Sequence, residues 1–168
     1  PLSSLSLRSC YAESKRMGEN LCISYANKYK IPIKIVRPFH TYGPGMKLDD
    51  GRVFADFVSD IVNNRNIIIK SDGSAERPFC YLADATVAFF KILLNGENNN
   101  AYNVANPNEC FSVKDLAQML VETFSQKKIK VEFSNHDQRY LKIKAKQYIV
   151  DISKIKKLNW TPQTSAKE

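Results

Sequence analysis

The sequence predicts an α/β fold built around a parallel sheet, and two features of the chain carry that prediction. Apolar residues recur at helical spacing from Tyr11 to Lys30, and Pro32 separates this helix from a short β-branched strand over 33–37. A helix, a tight break and a strand make half of a βαβ unit. Helical and strand patterns then alternate to the end of the chain without internal repeats or low-complexity tracts.

The elements after this first strand are short and follow one another closely. The loop over 39–45 lies at the carboxyl end of the strand, the edge at which doubly wound sheets bind ligands. The patterns up to residue 96 predict a helix over 53–62, a strand over 67–69, a turn over 71–74, an extended segment over 77–82, and a helix capped by Asp84 and ended by Asn95-Gly96. The remaining patterns predict a strand over 101–105, a helix opened by Ser112 and a strand over 130–133. An irregular polar segment over 135–148 and a short helix within 151–160 complete the chain.

The composition is that of a soluble globular protein of ordinary domain size. The chain has 168 residues, of which 43% are hydrophobic and 25% are charged. It has no apolar run long enough to span a membrane and no secretory pattern at its start, so we predict a cytoplasmic protein without a membrane partner. Its four cysteines include no Cys-x-x-Cys pair, so we predict no metal site and reduced cysteines in or near the core: Cys10, Cys22, Cys80 and Cys110.

The formal net charge of +8 favours an anionic partner, such as a diphosphate, a nucleic acid or an acidic surface. Much of the excess lies late in the chain, where lysines cluster within 127–130, 142–146 and 154–157. These lysines are not interleaved with aromatic residues, and no helix-turn-helix or zinc-finger spacing accompanies them. We therefore interpret them as a solvated basic face and predict no nucleic-acid partner; tight, steeply salt-dependent binding to random DNA would contradict this interpretation.

The first candidate for chemistry is a tyrosine and lysine pair near the start of the chain. Tyr11 and Lys15 are four residues apart, so they share one face of the predicted helix. A phenol titrates at about pH 10 in water, and a nearby positive charge is needed to make it exchange protons near neutrality. Lys15 is spaced to supply that charge. Many such pairs are solvated surface residues, so the other motifs decide its meaning.

The order of the motifs resembles the extended short-chain dehydrogenase/reductase superfamily, in its NAD-dependent nucleotide-sugar epimerase/dehydratase branch. Tyr11-Ala-Glu-Ser-Lys15 resembles the catalytic Tyr-x-x-x-Lys helix, and Arg37-Pro-Phe-His-Thr-Tyr-Gly-Pro44 resembles the Arg-x-x-Asn-x-Tyr-Gly-Pro strand and loop. Further motifs follow in the family's order: Asp50-Gly-Arg-Val53, Asp72-Gly-Ser74, Arg77-Pro-Phe-Cys-Tyr81 with Asp84, and the closing segment 151–160. The motifs over 50–53 and 77–81 are most similar to those of UDP-glucuronate decarboxylases and their dTDP-glucose 4,6-dehydratase relatives.

This resemblance implies a function and the residues that perform it. Tyr11 would exchange a proton with a sugar hydroxyl while the sugar carbon gives hydride to NAD, and a transient keto-sugar would follow. Lys15 would hold the nicotinamide ribose, with Pro38 and Phe39 also on the cofactor side. The nucleotide-diphosphate sugar would be bound by five residues, with the last two as the diphosphate ligands: His40, Arg52, Val53, Arg77 and Arg139.

Two departures from the family's pattern limit what is implied. His40 replaces the usual asparagine; it can still donate a hydrogen bond to a phosphate, and we expect its charge to vary near neutral pH. The glycine-rich strand-turn-helix that binds the dinucleotide pyrophosphate is absent, because none of the six glycines forms that fingerprint. The serine or threonine of the family's catalytic triad would also precede Pro1.

We therefore interpret the chain as the C-terminal part of a Rossmann-type enzyme. Residues 1–40 would be the distal part of the NAD-binding domain, and 41–168 mainly the smaller α/β substrate-binding domain. We expect the chain to be inactive alone and to form a homodimer through its long first helix. A decarboxylase or dehydratase type of reaction is predicted, with two alternatives left open: a nucleotide-sugar 4-epimerase, and a truncated non-catalytic remnant that binds nucleotide diphosphates.

Overall fold

The predicted α/β alternation is confirmed by a computed structural model of the chain, which describes residues 9–134 and 150–167. Five α-helices of the described chain are α1 (Ser9–Tyr29), α2 (Val53–Val62), α3 (Leu82–Asn95), α4 (Val113–Thr123) and α5 (Ser153–Lys156). The strands are β1 (Lys34–Pro38), β2 (Thr41–Tyr42), β3 (Ile67–Ile69), β4 (Glu76–Pro78), β5 (Cys80–Tyr81), β6 (Asn100–Val104), β7 (Cys110–Ser112) and β8 (Val131–Phe133). A short 3-10 turn over Ser125–Lys127 follows α4.

The strands of the described residues form four pairs, three of them parallel. β1 pairs with β6, β2 with β5 and β3 with β8 in parallel, whereas β4 and β7 are antiparallel. In the β1–β6 pair Lys34 lies opposite Asn100 and Pro38 opposite Val104. β6, which belongs to the predicted substrate-binding segment 41–168, therefore pairs with β1 of the predicted NAD-binding segment 1–40.

The long helix α1 ends where the sequence predicts a break. Lys30 adopts a left-handed conformation (φ 56°), and Pro32 cannot continue a helix because it has no backbone N–H. Of the 21 residues of α1, only Ser9 and Ala26 are buried. Five apolar or aromatic side chains of this helix are at least half exposed: Tyr11, Met17, Leu21, Tyr25 and Tyr29. Most of the apolar surface of α1 is therefore open in the described chain.

Two hydrophobic clusters form the interior. The first joins α2 and α4 to the β3–β8 pair, and includes Phe57, Ile61, Ile69 and Leu116. The second packs α3 and α5 against the β1–β6 pair, through Ala88, Ile92, Val104, Ile155 and Trp160. The amphipathic pattern of α2 and α4 predicted their buried faces, and Ser112 caps α4 as predicted, because its hydroxyl accepts a hydrogen bond from the Asp115 N–H at 3.0 Å.

Asp84 does not cap a helix, so that prediction is wrong. The N-cap of α3 is Tyr81, and Asp84 lies inside the first turn. Its buried carboxylate instead accepts hydrogen bonds from the backbone N–H groups of Gln163 (3.0 Å) and Thr164 (2.9 Å), and the indole N–H of Trp160 donates to the Asp84 carbonyl at 3.0 Å. Asp84 thereby fastens the C-terminal segment to α3, a contact that local spacing does not reveal.

Two other local predictions need correction. The extended segment over 77–82 is two strands rather than one, because the chain exchanges β7 for β2 as its partner at Phe79, and Leu82 already belongs to α3. Among the cysteines, Cys80 is buried and Cys110 intermediate, but Cys10 and Cys22 are exposed, because the faces of α1 that carry them contact little of the described chain. No described helix combines the length and apolar character needed to cross a membrane.

Candidate active site

The structure places Tyr11 and Lys15 side by side on α1. The Lys15 Nζ lies 5.6 Å from the centroid of the Tyr11 ring, and the Tyr11 side chain is 71% exposed. The Ser14 hydroxyl donates to the Tyr11 carbonyl at 2.8 Å, a bond within the helix. The phenol and the ammonium are thus adjacent and accessible to a ligand, as their four-residue spacing requires.

The loop after β1 begins beside the second hydrophobic cluster. The N–H of Phe39 donates to the Val104 carbonyl at 2.9 Å, which continues the β1–β6 ladder, and the Phe39 ring packs against that cluster, whereas Pro38 is exposed. Further along the loop, Gly43 passes so close to α3 that a Cβ on it would lie 2.7 Å from the Leu82 Cβ. Only glycine allows this approach, which fixes the loop against the first turn of α3.

His40 has a constrained position in this loop. Its backbone is left-handed (φ 27°), its carbonyl accepts from the Cys80 N–H at 3.3 Å, and its ring meets Phe79 edge-on at 5.9 Å. Burial, followed by the nearby Arg77 charge, lowers the pKa of His40 to about 4, although one side of the residue remains exposed to solvent. The imidazole is therefore neutral near pH 7, contrary to the expectation that its charge varies there.

We expect this shifted pKa to be measurable as a loss of stability in acid. The unfolded histidine titrates at about pH 6.5 and the folded one at about 4, so the unfolded state binds more protons between these values and stability falls as the pH drops through that window. Because His40 is partly exposed, we expect a loss of only about 1 kcal/mol. Urea unfolding from pH 7 to 4 should show this loss in the wild type relative to His40→Asn. Parallel curves for the two proteins would contradict the assigned cause.

A cavity of about 660 Å³ lies between α2, β3 and residues 70–77, which lead from β3 into β4. Its apolar wall includes Val53, Phe57 and Ile69, and its polar groups include Asp56, Asp60, Arg65 and Arg77. The volume is within the range of small-molecule sites, and the lining combines apolar side chains with almost as many polar and charged ones.

The cavity brings together two of the predicted site residues and leaves others apart. Val53 and Arg77 line it, and the Arg77 charge also reaches His40. Arg52 is not in the lining: its Nε donates to Asp50 Oδ2 at 2.7 Å, and its backbone N–H donates to Asp50 Oδ1 at 2.8 Å. Tyr11, Lys15, Pro38 and Phe39 also lie outside the lining. Arg139 lies outside the residues that the structure describes.

The cavity contains residues that the sequence analysis missed. Asp56 and Asp60 follow Val53 by three and seven positions, so they share its side of α2 and line the cavity with it. Arg65 pairs with Asp60 at 3.1 Å. The helical spacing was visible in the sequence, but it did not say which face of α2 borders a cavity. Within the described residues no three potential metal ligands cluster.

A family model described as "NAD dependent epimerase/dehydratase family" matches residues 2–105, more than half of the chain. The chain belongs to this family. The match includes the Tyr11 and Lys15 pair, the His40 loop, both strands of the β1–β6 pair and the cavity lining except Val113. The resemblance inferred from the motifs is thereby confirmed at the level of the family, which is NAD-dependent.

A second comparison is with curated proteins of similar sequence. Over 167 residues the chain is 35% identical to UDP-glucuronic acid decarboxylase 3 of Arabidopsis thaliana, and the match covers 98% of this chain and 46% of that protein. The chain thus spans about half the length of the curated relatives that it matches most fully.

Solved structures support the fold. The chain is 27% identical to a UDP-glucuronic acid 4-epimerase from Bacillus cereus, solved with UDP-glucuronic acid and NAD, with a TM-score of 0.79 over 99% of this chain and 54% of that one. It also matches a UDP-glucose 4-epimerase from Thermotoga maritima, solved with UDP-glucose, at 21% identity and a TM-score of 0.80, covering 94% and 49% of the two chains. The predicted Rossmann-type fold is therefore confirmed for the part of the fold that this chain spans.

The residues present fit NAD only at its nicotinamide end. The Tyr11 hydroxyl and the Lys15 ammonium are accessible donors for ribose hydroxyls. No glycine-rich turn that would receive the pyrophosphate occurs in the sequence. Only part of the cofactor's contact surface can therefore come from these 168 residues.

Proposed function

We propose that this chain provides the catalytic Tyr/Lys pair and the substrate side of an NAD-dependent enzyme that decarboxylates or dehydrates a nucleotide sugar. The observation that carries the proposal is the placement of Arg77, which lines the 660 Å³ cavity and has His40 within reach of its charge. A planar guanidinium makes paired hydrogen bonds to phosphate oxygens, and the apolar wall of the cavity suits a flat base. The 35% identity to a UDP-glucuronic acid decarboxylase supports the reaction class.

The proposed roles follow from the chemistry of the groups. Tyr11 takes a proton from a sugar hydroxyl and returns it, and Lys15 holds the nicotinamide ribose beside it. When bound, NAD accepts hydride from the sugar carbon and gives it back. His40, neutral near pH 7, offers a hydrogen bond to the substrate without competing with Arg77 for negative charge. The proposal also assigns Arg52 and Val53 to the nucleotide, Arg139 to the diphosphate, and Pro38 and Phe39 to the cofactor.

A 4-epimerase is the second candidate for the activity. The 27% identity to a UDP-glucuronic acid 4-epimerase over 99% of this chain supports it. The two reactions share the oxidation and the keto-sugar, so the Tyr11 and Lys15 roles are common to both. A non-catalytic remnant that only binds nucleotide diphosphates is the third, and it keeps the Arg77 cavity without a use for Tyr11.

An activity assay with and without a glycine-rich half separates these candidates. We expect the 168-residue chain alone to turn over no UDP-glucuronic acid. A fusion protein in which the family's glycine-rich half precedes Pro1 should release CO₂ from it. An epimer without CO₂ would favour the epimerase, and binding of UDP without turnover in the fusion would favour the remnant. Turnover by the isolated chain would contradict the proposal that its site is incomplete.

The Arg77 cavity can be tested by binding alone. Replacing Arg77 with alanine should weaken UDP binding to the chain by about 10- to 150-fold, because a hydrogen-bonded phosphate contact of a charged group contributes roughly 1.5–3 kcal/mol. Arg77→Lys keeps the charge but loses the fork, so its affinity should be intermediate. Calorimetric titration with UDP measures both.

The matched control for this binding test is Arg16→Ala. Arg16 is an exposed arginine of α1 that pairs at 3.8 Å with Glu13 of the same helix and does not line the cavity. The control has the same change of charge and should bind UDP like the wild type. Equal losses in the Arg77 and Arg16 variants would mean that only net charge matters.

We also propose a homodimer through α1 and a cytoplasmic location. The open apolar surface of α1 supports the first, since helices with exposed apolar faces pair readily. Light scattering on the fusion protein tests it, and a monomer at micromolar concentration would count against it.

A further inference from the structure

A third residue of α1 shares the face of Tyr11 and Lys15. Glu19 follows Lys15 by four residues, as Lys15 follows Tyr11, so the three side chains lie in one row along the helix. Any contact that fixes the direction of Glu19 therefore also fixes the direction of the phenol and the ammonium.

Glu19 is held by two hydrogen bonds to strand β1. The Arg37 Nε donates to Glu19 Oε1 at 2.7 Å, and the Arg37 Nη2 donates to Glu19 Oε2 at 2.5 Å. This paired arrangement defines an orientation, not only a distance. The hydrogen bond to Arg37 lowers the pKa of Glu19, and the same bond raises the pKa of Arg37. Both groups are consequently charged across the neutral range.

From Tyr11 to Tyr29, few other polar contacts of the described residues direct the rotation of α1. The other side-chain hydrogen bonds and ion pairs made between Tyr11 and Tyr29 stay within the helix: Ser14 to Tyr11, Ser24 to Asn20, and Arg16 with Glu13. Only Ser9 and Ala26 of this helix are buried. Apolar packing along α1 is correspondingly weak, and the Glu19–Arg37 pair is its specific polar link to β1.

Arg37 lies directly before the loop that contains His40. It pairs in register with Asn103 of β6, and two residues later the Phe39 N–H continues the ladder to Val104. We infer that Glu19 and Arg37 are positioning residues, which set the rotation of α1 so that the Tyr11 and Lys15 face is held in a fixed relation to β1 and its loop. The catalytic importance of this position rests on the proposed function, whereas the effect of the pair on the rotation of α1 does not.

The exposure of the pair favours this geometric role over a stabilising one. The side chains of Arg37 and Glu19 are 48% and 31% exposed, so solvent screens the attraction between their charges and limits its contribution to folding stability. A purely stabilising pair would change the unfolding midpoint when it is broken. A positioning pair should leave the midpoint nearly unchanged and widen the range of helix orientations.

Distance measurements between two spin labels test the orientation directly. One label is placed on native Cys22, which is exposed on α1, and the other on Ala83→Cys, an exposed position of α3, the helix that packs on β1. Cys10 and Cys110 are replaced with serine, and Cys80 is fully buried and escapes labelling. Dilution with unlabelled chain removes distances between copies.

We expect the width of the distance distribution to at least double in Glu19→Gln, with an unfolding midpoint close to that of the wild type. Arg37→Lys, which keeps the charge but loses the fork, should give an intermediate width. The matched control is Glu13→Gln, because Glu13 pairs only within the helix, with Arg16, and its loss should leave the width unchanged. An unchanged width in Glu19→Gln, or equal broadening in Glu13→Gln, would overturn the inference.

The catalytic consequence has its own readout in the fusion protein. Glu19→Gln should lower kcat by about 10- to 100-fold with KM nearly unchanged, because a small misplacement of a reacting group costs rate while the Arg77 cavity is untouched. Full kcat in this variant would overturn the positioning role. A wild-type fusion without any turnover would instead count against the proposed function, and the label distances would still decide whether the pair sets the rotation of α1.

Discussion

Replacing Tyr11 with phenylalanine is expected to lower kcat of the fusion protein by about 10²–10⁴-fold, because the substitution removes the hydroxyl that exchanges the sugar proton. The loss should be in kcat and not in UDP affinity, since Tyr11 does not line the Arg77 cavity. Stability should be unaffected, because the Tyr11 side chain is 71% exposed and contributes little packing. Initial rates with UDP-glucuronic acid, together with UDP titration of the same variant, separate the two effects.

The control for this variant is Tyr25→Phe. Tyr25 is on the same helix, is 55% exposed and contacts the Tyr29 ring at 5.4 Å, so it offers the same hydroxyl without a proposed role in proton transfer. Its kcat should match that of the wild type. If Tyr11→Phe kept its full kcat, the proton-transfer role of Tyr11 would be wrong, whatever the fate of the nucleotide site.

Replacing Trp160 with alanine is expected to destabilise the chain by about 3–5 kcal/mol, the range for removing a large aromatic residue from a core. Trp160 is 2% exposed in the second hydrophobic cluster, and its indole N–H donates to the Asp84 carbonyl. The variant loses the packing and leaves a buried carbonyl without its donor. Since a domain has only about 5–15 kcal/mol of total stability, much of the chain's margin would be lost. Urea unfolding measures the change.

Two comparisons keep this stability test specific. Trp160→Phe retains most of the apolar volume but not the N–H, so it should cost less than the alanine variant. Leu94→Ala changes an apolar residue of α3 that is 73% exposed, and its effect should stay within about 0.5 kcal/mol. A loss in Trp160→Ala no larger than that in Leu94→Ala would contradict the assignment of Trp160 to the core.

The parts of the fold that could be predicted are those where the signal is local. The break at Pro32, the apolar stripes of α2 and α4, and the Ser112 cap depend on residues within one or two turns of each other. The failures depend on partners that are far apart in sequence. Asp84 carries a spacing typical of a cap, but its carboxylate bonds to Gln163 and Thr164, some eighty positions later. No local pattern contains that information.

The candidate site also includes residues that the sequence could predict and residues that it could not. Tyr11 and Lys15 could be proposed from spacing and motif, and Val53 and Arg77 from the order of motifs. The Asp56 and Asp60 lining could not, because it depends on which face of α2 borders the cavity. The neutral state of His40 also could not, because it depends on burial and on the nearby Arg77, which the loop sequence does not contain. The identity of these candidate residues was thus easier to predict than the charge state of His40.

The pairing of β1 bears on how fast the chain is degraded in a cell. Within the described residues β1 pairs only with β6, and no other described strand bonds to its second edge. Chaperones and proteases recognise such surfaces as unfinished folding, and free edges also recruit strands from other chains. We expect the chain to be degraded more slowly when another strand pairs with that edge than when the edge is free.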